Sequence, residues 1–164
     1  MRKFIVLFLC VIVLLSLCGC KHKDSEPVDP VKFYYCKEEI TYNSAAGVIQ
    51  PEIHEGINFH NDAETMLRAY LKGPYSNDNV SLMPMQTDLV SIQIEDGRAY
   101  VTLTDAYSQL SGIKLTMSSS CIAMTLYDYA GVTEVYFSTE NERLDNKVNF
   151  IIRVEDLVWL DIME

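Results

Sequence analysis

Several side-chain groups in this sequence have the types and spacing to do chemistry. His54 and His60 lie among Glu52, Glu55 and Asp62, a set that could ligate a metal ion. Structural zinc wants four ligands at short spacings, usually with cysteine among them, and that pattern is missing. The set is therefore expected to be surface polar residues near a helix start. Ser118-Ser119-Ser120 lacks the flanking glycines of a nucleophile elbow and reads as helix-entry serines. Cys121 has no base or cation beside it in sequence to stabilise a thiolate. Asn77-Asp78-Asn79 offers oxygen ligands without the glycine and distal glutamate of a calcium loop, so a polar turn is expected. No glycine-rich phosphate cradle or dinucleotide fingerprint occurs. With no acid/base pair and no activated nucleophile, the sequence predicts a non-enzymatic protein with no cofactor and no metal.

Cys20 is the exception. Arg2-Lys3 is followed by an apolar run from Phe4 that reaches Leu17, 14 residues in all. A spanning helix wants roughly 20 apolar residues, and a signal-peptide core about 7–15. The run then ends in Leu17-Cys18-Gly19-Cys20, which resembles the bacterial lipobox, Leu-x-small-Cys. Gly19 supplies the small side chain. The resemblance implies cleavage after a signal peptide of residues 1–19 and a thioether-linked diacylglycerol on Cys20. Each buried CH₂ contributes about 0.8 kcal/mol, and two acyl chains hold a protein on a bilayer where one does not. Residues 20–30 read as anchor and tether. Lys21-His22-Lys23 suits anionic headgroups, and Asp24 to Pro30 is polar with two prolines. The expected location is the extracytoplasmic face of the bacterial cell membrane.

Cysteine usage changes with that reading. Cys10 and Cys18 leave with the signal, Cys20 is lipidated, and Cys36 and Cys121 remain. Outside the cytoplasm these two could pair. Two buried free thiols, each acting as a small hydrophobe, are the alternative.

Charge points the same way. The chain has 164 residues, 13 basic against 23 acidic, for a net charge of −10. Both basic residues of the leading segment, Arg2 and Lys3, precede Cys20, so the remainder carries −12. Nucleic acid is not expected as a partner, because phosphate binding needs clustered Lys and Arg. At 49% hydrophobic residues, the chain is expected to fold, as about one domain.

The elements that must position any site are legible in part. Val31 to Cys36 is rich in Phe, Tyr and Val and reads as a strand. Val48 to His54 is a second, with Pro51 pointing to a sheet edge. Asn61 with Glu64 predicts a capping box, and Ala63, Met66, Leu67, Tyr70 and Leu71 form one helical face ending at Gly73-Pro74. Asp96-Gly97 predicts a tight hairpin with Glu95 opposite Arg98, Ile94 opposite Ala99, Ile92 opposite Val101 and Val90 opposite Leu103. Thr116 to Ala130 reads as a second helix stopped by Gly131, followed by a strand over Val132 to Phe137. Glu140 to Lys147 reads as a charged loop. Val148, Phe150, Ile152 and Val154 alternate again, and the apolar run Leu157 to Ile162 around Trp159 fits a strand or a short helix. The predicted class is α+β: a small mixed sheet with two helices on one face, a helix–strand–strand–helix–strand core preceded by two strands.

An ordered set of short motifs runs through those elements. It comprises Phe33-Tyr34-Tyr35, Leu71-Lys72-Gly73-Pro74, Pro84-x-x-Thr87, Ile94-Glu95-Asp96-Gly97 and Val101-Thr102-Leu103-Thr104. Thr125-Leu126 and Gly131-Val132-x-x-Val135-x-Phe137 complete it. Over residues 31–138 this order and spacing resembles the GerMN domain family, in a single copy. Thr102 and Thr104 stand where that family often has Asp and Ser. The resemblance implies a fold like the ring-building motifs of secretion-type assemblies. It also implies a secreted or lipid-anchored bacterial protein linked to sporulation or germination, with no enzymatic activity. Residues 139–164 are expected to pack on the domain as a C-terminal extension.

Most of the ten tyrosines fall on strands or apolar helical faces. Tyr100 is predicted to lie opposite the apolar face, with Gln93 and Thr102 beside it. That face is either covered by the C-terminal segment or open to a partner. The expected function is an anchored interaction or assembly module for an envelope protein, with Gln93, Tyr100 and Thr102 as candidate surface. The alternative is a lipoprotein that binds cell-wall glycan or a small ligand through its tyrosines.

Overall fold

The computed structural model describes residues 30–38, 47–55, 57, 59, 61–141 and 150–157. Residues 1–29, with the expected signal, Cys20 and most of the expected tether, lie outside the described residues, as do His60, most of the 140–147 loop and Trp159. The elements in chain order are β1 (Val31–Lys37), β2 (Ile49–His54), α1 (Ala63–Tyr70), β3 (Asn79–Val80), β4 (Leu89–Glu95) and β5 (Arg98–Leu103). Then come α2 (Gly112–Ala130), β6 (Glu134–Thr139) and β7 (Phe150–Arg153). Short 3-10 turns cover Asp105–Gln109 and Val154–Asp156. The α+β class holds, and α1–β4–β5–α2–β6 runs in the expected order. The strands divide between two sheets, β2-β1-β3 and β4-β5-β6-β7.

In the first sheet β1 is central and antiparallel to both neighbours. Phe33, Tyr34, Tyr35 and Cys36 are all buried. Phe33 and Tyr35 meet Tyr70 of α1, the first edge-on at 5.7 Å and the second stacked at 4.9 Å. Lys32 and Cys36 face α2, where Lys32 Nζ lies 3.2 Å from Asp128 and Cys36 Sγ lies 3.8 Å from Cys121 Sγ. Both cysteines are buried free thiols.

The β1 backbone shows how this sheet tolerates a short third strand. Lys37 N–H donates to Val48 O, so odd-numbered residues of β1 turn their peptide groups toward β2. Tyr34 therefore turns away from Pro51, its partner in β2, and toward β3. Pro51 loses no ladder bond there, and β2 is an edge strand as its proline requires. β3 reaches only Lys37 and Cys36, which leaves the Tyr34 peptide without a strand partner. Two helix side chains replace it: Tyr34 N–H donates to Thr125 Oγ1 at 3.0 Å, and Tyr70 OH donates to Tyr34 O at 3.1 Å. A buried peptide group has to find such partners.

Four local expectations need correction. The α1 cap is Asp62, whose carboxylate accepts from Glu64 N and Thr65 N at 3.0 and 3.1 Å. Asn61 instead takes a left-handed φ of 60° in the preceding turn, and Glu64 pairs with Arg68. A carboxylate at the positive end of the helix dipole is the stronger cap. In the hairpin, the expected pairs hold from Glu95–Arg98 to Ile92–Val101. Beyond them a bulge between Leu89 and Ser91 pairs Leu103 with Leu89 rather than with Val90. The extra residue flips the side chains, so Leu89 is 3% exposed and Val90 41%. The second helix starts at Gly112 rather than Thr116, which places Ser118–Ser120 inside it and buried. They are small residues where the helix lies deepest in the core, not helix-entry residues. The strand after it begins at Glu134, two residues late, because Thr133 N–H first donates to Gly97 O at 2.8 Å. At the end of α2, Gly131 takes the left-handed φ of 66° that the sequence expects.

Candidate functional face of the second sheet

In β5 the side chains alternate. Ala99, Val101 and Leu103 are buried, while Arg98 and Tyr100 are exposed and Thr102 is half-buried. The antiparallel hairpin sets Gln93 opposite Tyr100 and Ser91 opposite Thr102. The crossover through α2 returns the chain parallel to β5, which sets Glu134, Tyr136 and Ser138 beside Arg98, Tyr100 and Thr102. β7 then brings Arg153 beside Glu134 and Ile151 beside Tyr136. All these residues share the face opposite the buried one. Gln93, Tyr100 and Thr102 are together on that face, as their alternation predicts.

The face is ordered in three rows. In the middle row the rings of Tyr100 and Tyr136 stack at 4.9 Å and 23°. Tyr100 remains 41% exposed. On one side, Thr102 Oγ1 and Ser138 Oγ are hydrogen-bonded at 3.0 Å. On the other, Glu134 accepts from Arg98 Nε and Arg153 Nε, each at 3.1 Å, and from Tyr136 OH at 3.1 Å. The Arg153 and Tyr136 bonds, with the Arg98 guanidinium, hold the Glu134 carboxyl below its usual range. The same carboxylate raises the Tyr136 phenol. An ionised, triply bonded glutamate is a poor general base. This arrangement suits contact: a flat aromatic pair with fixed polar borders.

Sequence reasoning missed Arg98, Glu134, Tyr136, Ser138 and Arg153 as members of this face. The signal in β6 was present, since Glu134, Tyr136 and Ser138 alternate with Val135 and Phe137. Its neighbour was not legible, because a parallel pairing through a 19-residue helix leaves no local mark.

Of the His54 set, Glu55 and the cap Asp62 are exposed beside the helix start as expected, whereas His54 and Glu52 are not. His54 is only 5% exposed, between the rings of Phe33 and Tyr75 at 4.5 and 4.8 Å. Its Nε2 lies 2.8 Å from Glu52 Oε1. Glu52 also accepts from Tyr75 N, Ser76 N and Asn79 Nδ2 at 2.9–3.0 Å. Partial burial pushes the Glu52 carboxyl up, but these donors outweigh it and hold it low. The pair is thus a latch between β2 and the turn before β3, not surface polarity. Among the described residues, no three His, Cys, Asp or Glu side chains converge as a metal site. Ser119 Oγ is 2.7 Å from the buried Tyr107 OH, a structural bond. Asn77 and Asp78 form the polar turn entering β3, and Asn79 is the first residue of that strand, where Gln50 Nε2 bonds to Asn79 Oδ1.

Comparisons with known proteins fit this fold. No curated protein matches the chain. Among solved structures, the first GerMN domain of the sporulation protein GerM from Bacillus subtilis superposes with a TM-score of 0.53 at 13% identity. That match covers 71% of this chain and 86% of that one. The tandem GerMN domains of the same protein give a TM-score of 0.51 at 19% identity, covering 69% of this chain and 39% of that one. At such identities the likeness is one of fold. A family model described as Germane, sporulation and spore germination, matches residues 32–145, well over half of the sequence. The chain belongs to the Germane family of sporulation and spore germination, as the motif order from Phe33 to Phe137 implies.

Proposed function

We propose that this protein is a non-enzymatic assembly module held at the extracytoplasmic face of the cell membrane, where it serves sporulation or germination. Residues 1–19 direct export, Cys20 carries the lipid, and residues 20–30 form the tether. Residues 31–138 form the interacting domain, and residues 139–164 pack on it. The domain meets another envelope protein through the face around Gln93, Tyr100 and Thr102. The observation that carries this reading is the Tyr100–Tyr136 stack, with Tyr100 exposed, bordered by the Arg98–Glu134–Arg153 cluster. Large aromatic and arginine side chains on one rigid sheet are what protein interfaces use as anchors. The excess negative charge favours solubility and keeps the domain off anionic lipid.

The test is site-specific photocrosslinking in the producing cell. A photoreactive phenylalanine replaces Tyr100 in the full chain, and Met85, 91% exposed and outside the face, is the control position. The reading expects one discrete envelope-protein adduct from position 100, and not from 85. Adducts that are identical at both positions, or binding of purified wall glycan that is lost in Tyr100→Ala, overturn it. The anchor has its own readout: palmitate label on the wild-type chain and none on Cys20→Ser. An unlabelled, freely soluble wild-type chain sinks the anchor.

A further inference from the structure

We propose that Cys36 and Cys121 are a disulfide-forming pair that covalently ties β1 to α2 under oxidising conditions. Three contacts set their position. Running along β1, residues 32, 34 and 36 meet residues 128, 125 and 121 of α2 in order. Lys32 Nζ pairs with Asp128 at 3.2 Å, Tyr34 N–H donates to Thr125 Oγ1 at 3.0 Å, and the two sulfurs stand 3.8 Å apart. Thr125 Oγ1 in turn donates to Cys121 O at 2.9 Å, so the strand is fixed one helical turn from the cysteine. The sulfurs are therefore neighbours by construction of the core, although 85 positions separate them in sequence.

A disulfide needs a sulfur separation of about 2.05 Å, so closure draws the two atoms together through their side-chain torsions. The chemistry is thiol–disulfide exchange with an external disulfide, small-molecule or protein-borne. The thiolate of one cysteine attacks that disulfide, forming a mixed disulfide and expelling one thiolate of the oxidant. The second cysteine loses its proton to solvent and attacks the protein sulfur of the mixed disulfide. The second oxidant thiolate leaves, taking up a proton like the first. Two S–H bonds break, one S–S bond forms, and the oxidant gains two electrons and two protons. Both thiols are buried in the folded domain, so exchange happens before α2 closes over β1, or when it opens. An exported chain meets oxidants in that interval. This biological occasion rests on the reading of an extracytoplasmic protein, whereas the pairing itself does not.

The test separates the two. The purified full chain in detergent is unfolded in urea and refolded by dilution into a mixture of oxidised and reduced glutathione. It is then acid-quenched, blocked with iodoacetamide and digested with trypsin. Cys36 emerges in the fragment Phe33–Lys37, and Cys121 in the fragment 115–143. The proposal expects most of both fragments as one linked species, two hydrogens lighter than their sum and released by dithiothreitol. The linked protein melts about 10 °C or more above the reduced one, because a long loop is closed. Both fragments recovered alkylated overturn the proposal. So does linkage of either to glutathione, Cys10, Cys18 or Cys20, or a linked form that melts below the reduced one. None of these outcomes depends on where the cell keeps the protein.

Discussion

Thr125→Val removes one oxygen atom from the centre of the domain and keeps the shape of the side chain. Thr125 is fully buried, and its Oγ1 accepts the Tyr34 N–H at 3.0 Å. Because β3 ends at Cys36, no strand stands ready to accept that N–H in its place. Leaving a buried peptide N–H unpaired costs about 1–3 kcal/mol. The Thr125 bond to Cys121 O adds little, since that carbonyl keeps its place in the helix ladder. For a domain of this size about 2 kcal/mol corresponds to a fall in Tm of roughly 6–12 °C. Thr125→Ser is the counterpart: it keeps the hydroxyl and deletes a buried methyl, at about 1 kcal/mol. The assay is urea and thermal unfolding of the wild type and both variants, followed by circular dichroism. The serine variant is expected to be the more stable of the two. If Thr125→Val matches the wild type, or outlasts Thr125→Ser, the claim that helix side chains replace the missing strand is wrong.

Three further outcomes follow from neighbouring geometry. Tyr70→Phe removes the donor to Tyr34 O and is expected to cost about 1 kcal/mol. Combined with Thr125→Val it should give less than the sum of the single effects in a double-mutant cycle, because both hold the backbone of one residue, Tyr34. Gly131→Ala places a side chain at a φ of 66° with nothing within 4 Å of the new carbon, so the cost is backbone strain alone. About 1 kcal/mol is expected in urea midpoints, and Gly131→Asn should cost less. Glu52 has a folded pKa below its ordinary 4.5, so its contribution is present above that value and lost as pH falls through the folded one. Glu52→Gln should therefore flatten the loss of stability below about pH 4.5, measured as urea midpoints across an acid series.

Wherever the cause is local, the sequence is informative. The Asp96-Gly97 turn, with left-handed φ at both residues, fixes the hairpin register from Glu95–Arg98 to Ile92–Val101 before any tertiary contact is needed. Gly131 ends α2, Pro51 marks an edge, and the period of two in β5 assigns Tyr100 to the outer face. The ordered motifs from Phe33 to Phe137 imply the family and with it the α+β class. Local signals fail where two are close competitors, as with Asn61 and Asp62, which both suit a cap.

Only the tertiary structure decided what stands beside what across long separations. The parallel pairing of β5 with β6 created the Tyr100–Tyr136 stack and the arginine-bordered Glu134. The short β3 turned Thr125 and Tyr70 into substitutes for a strand. The docking of α2 on β1 buried the serines and brought Cys36 to Cys121. Periodicity and turn chemistry act over a few residues, so a chain carries them openly. Pairings such as these depend on which buried surfaces close against each other, and that choice is made by the whole core.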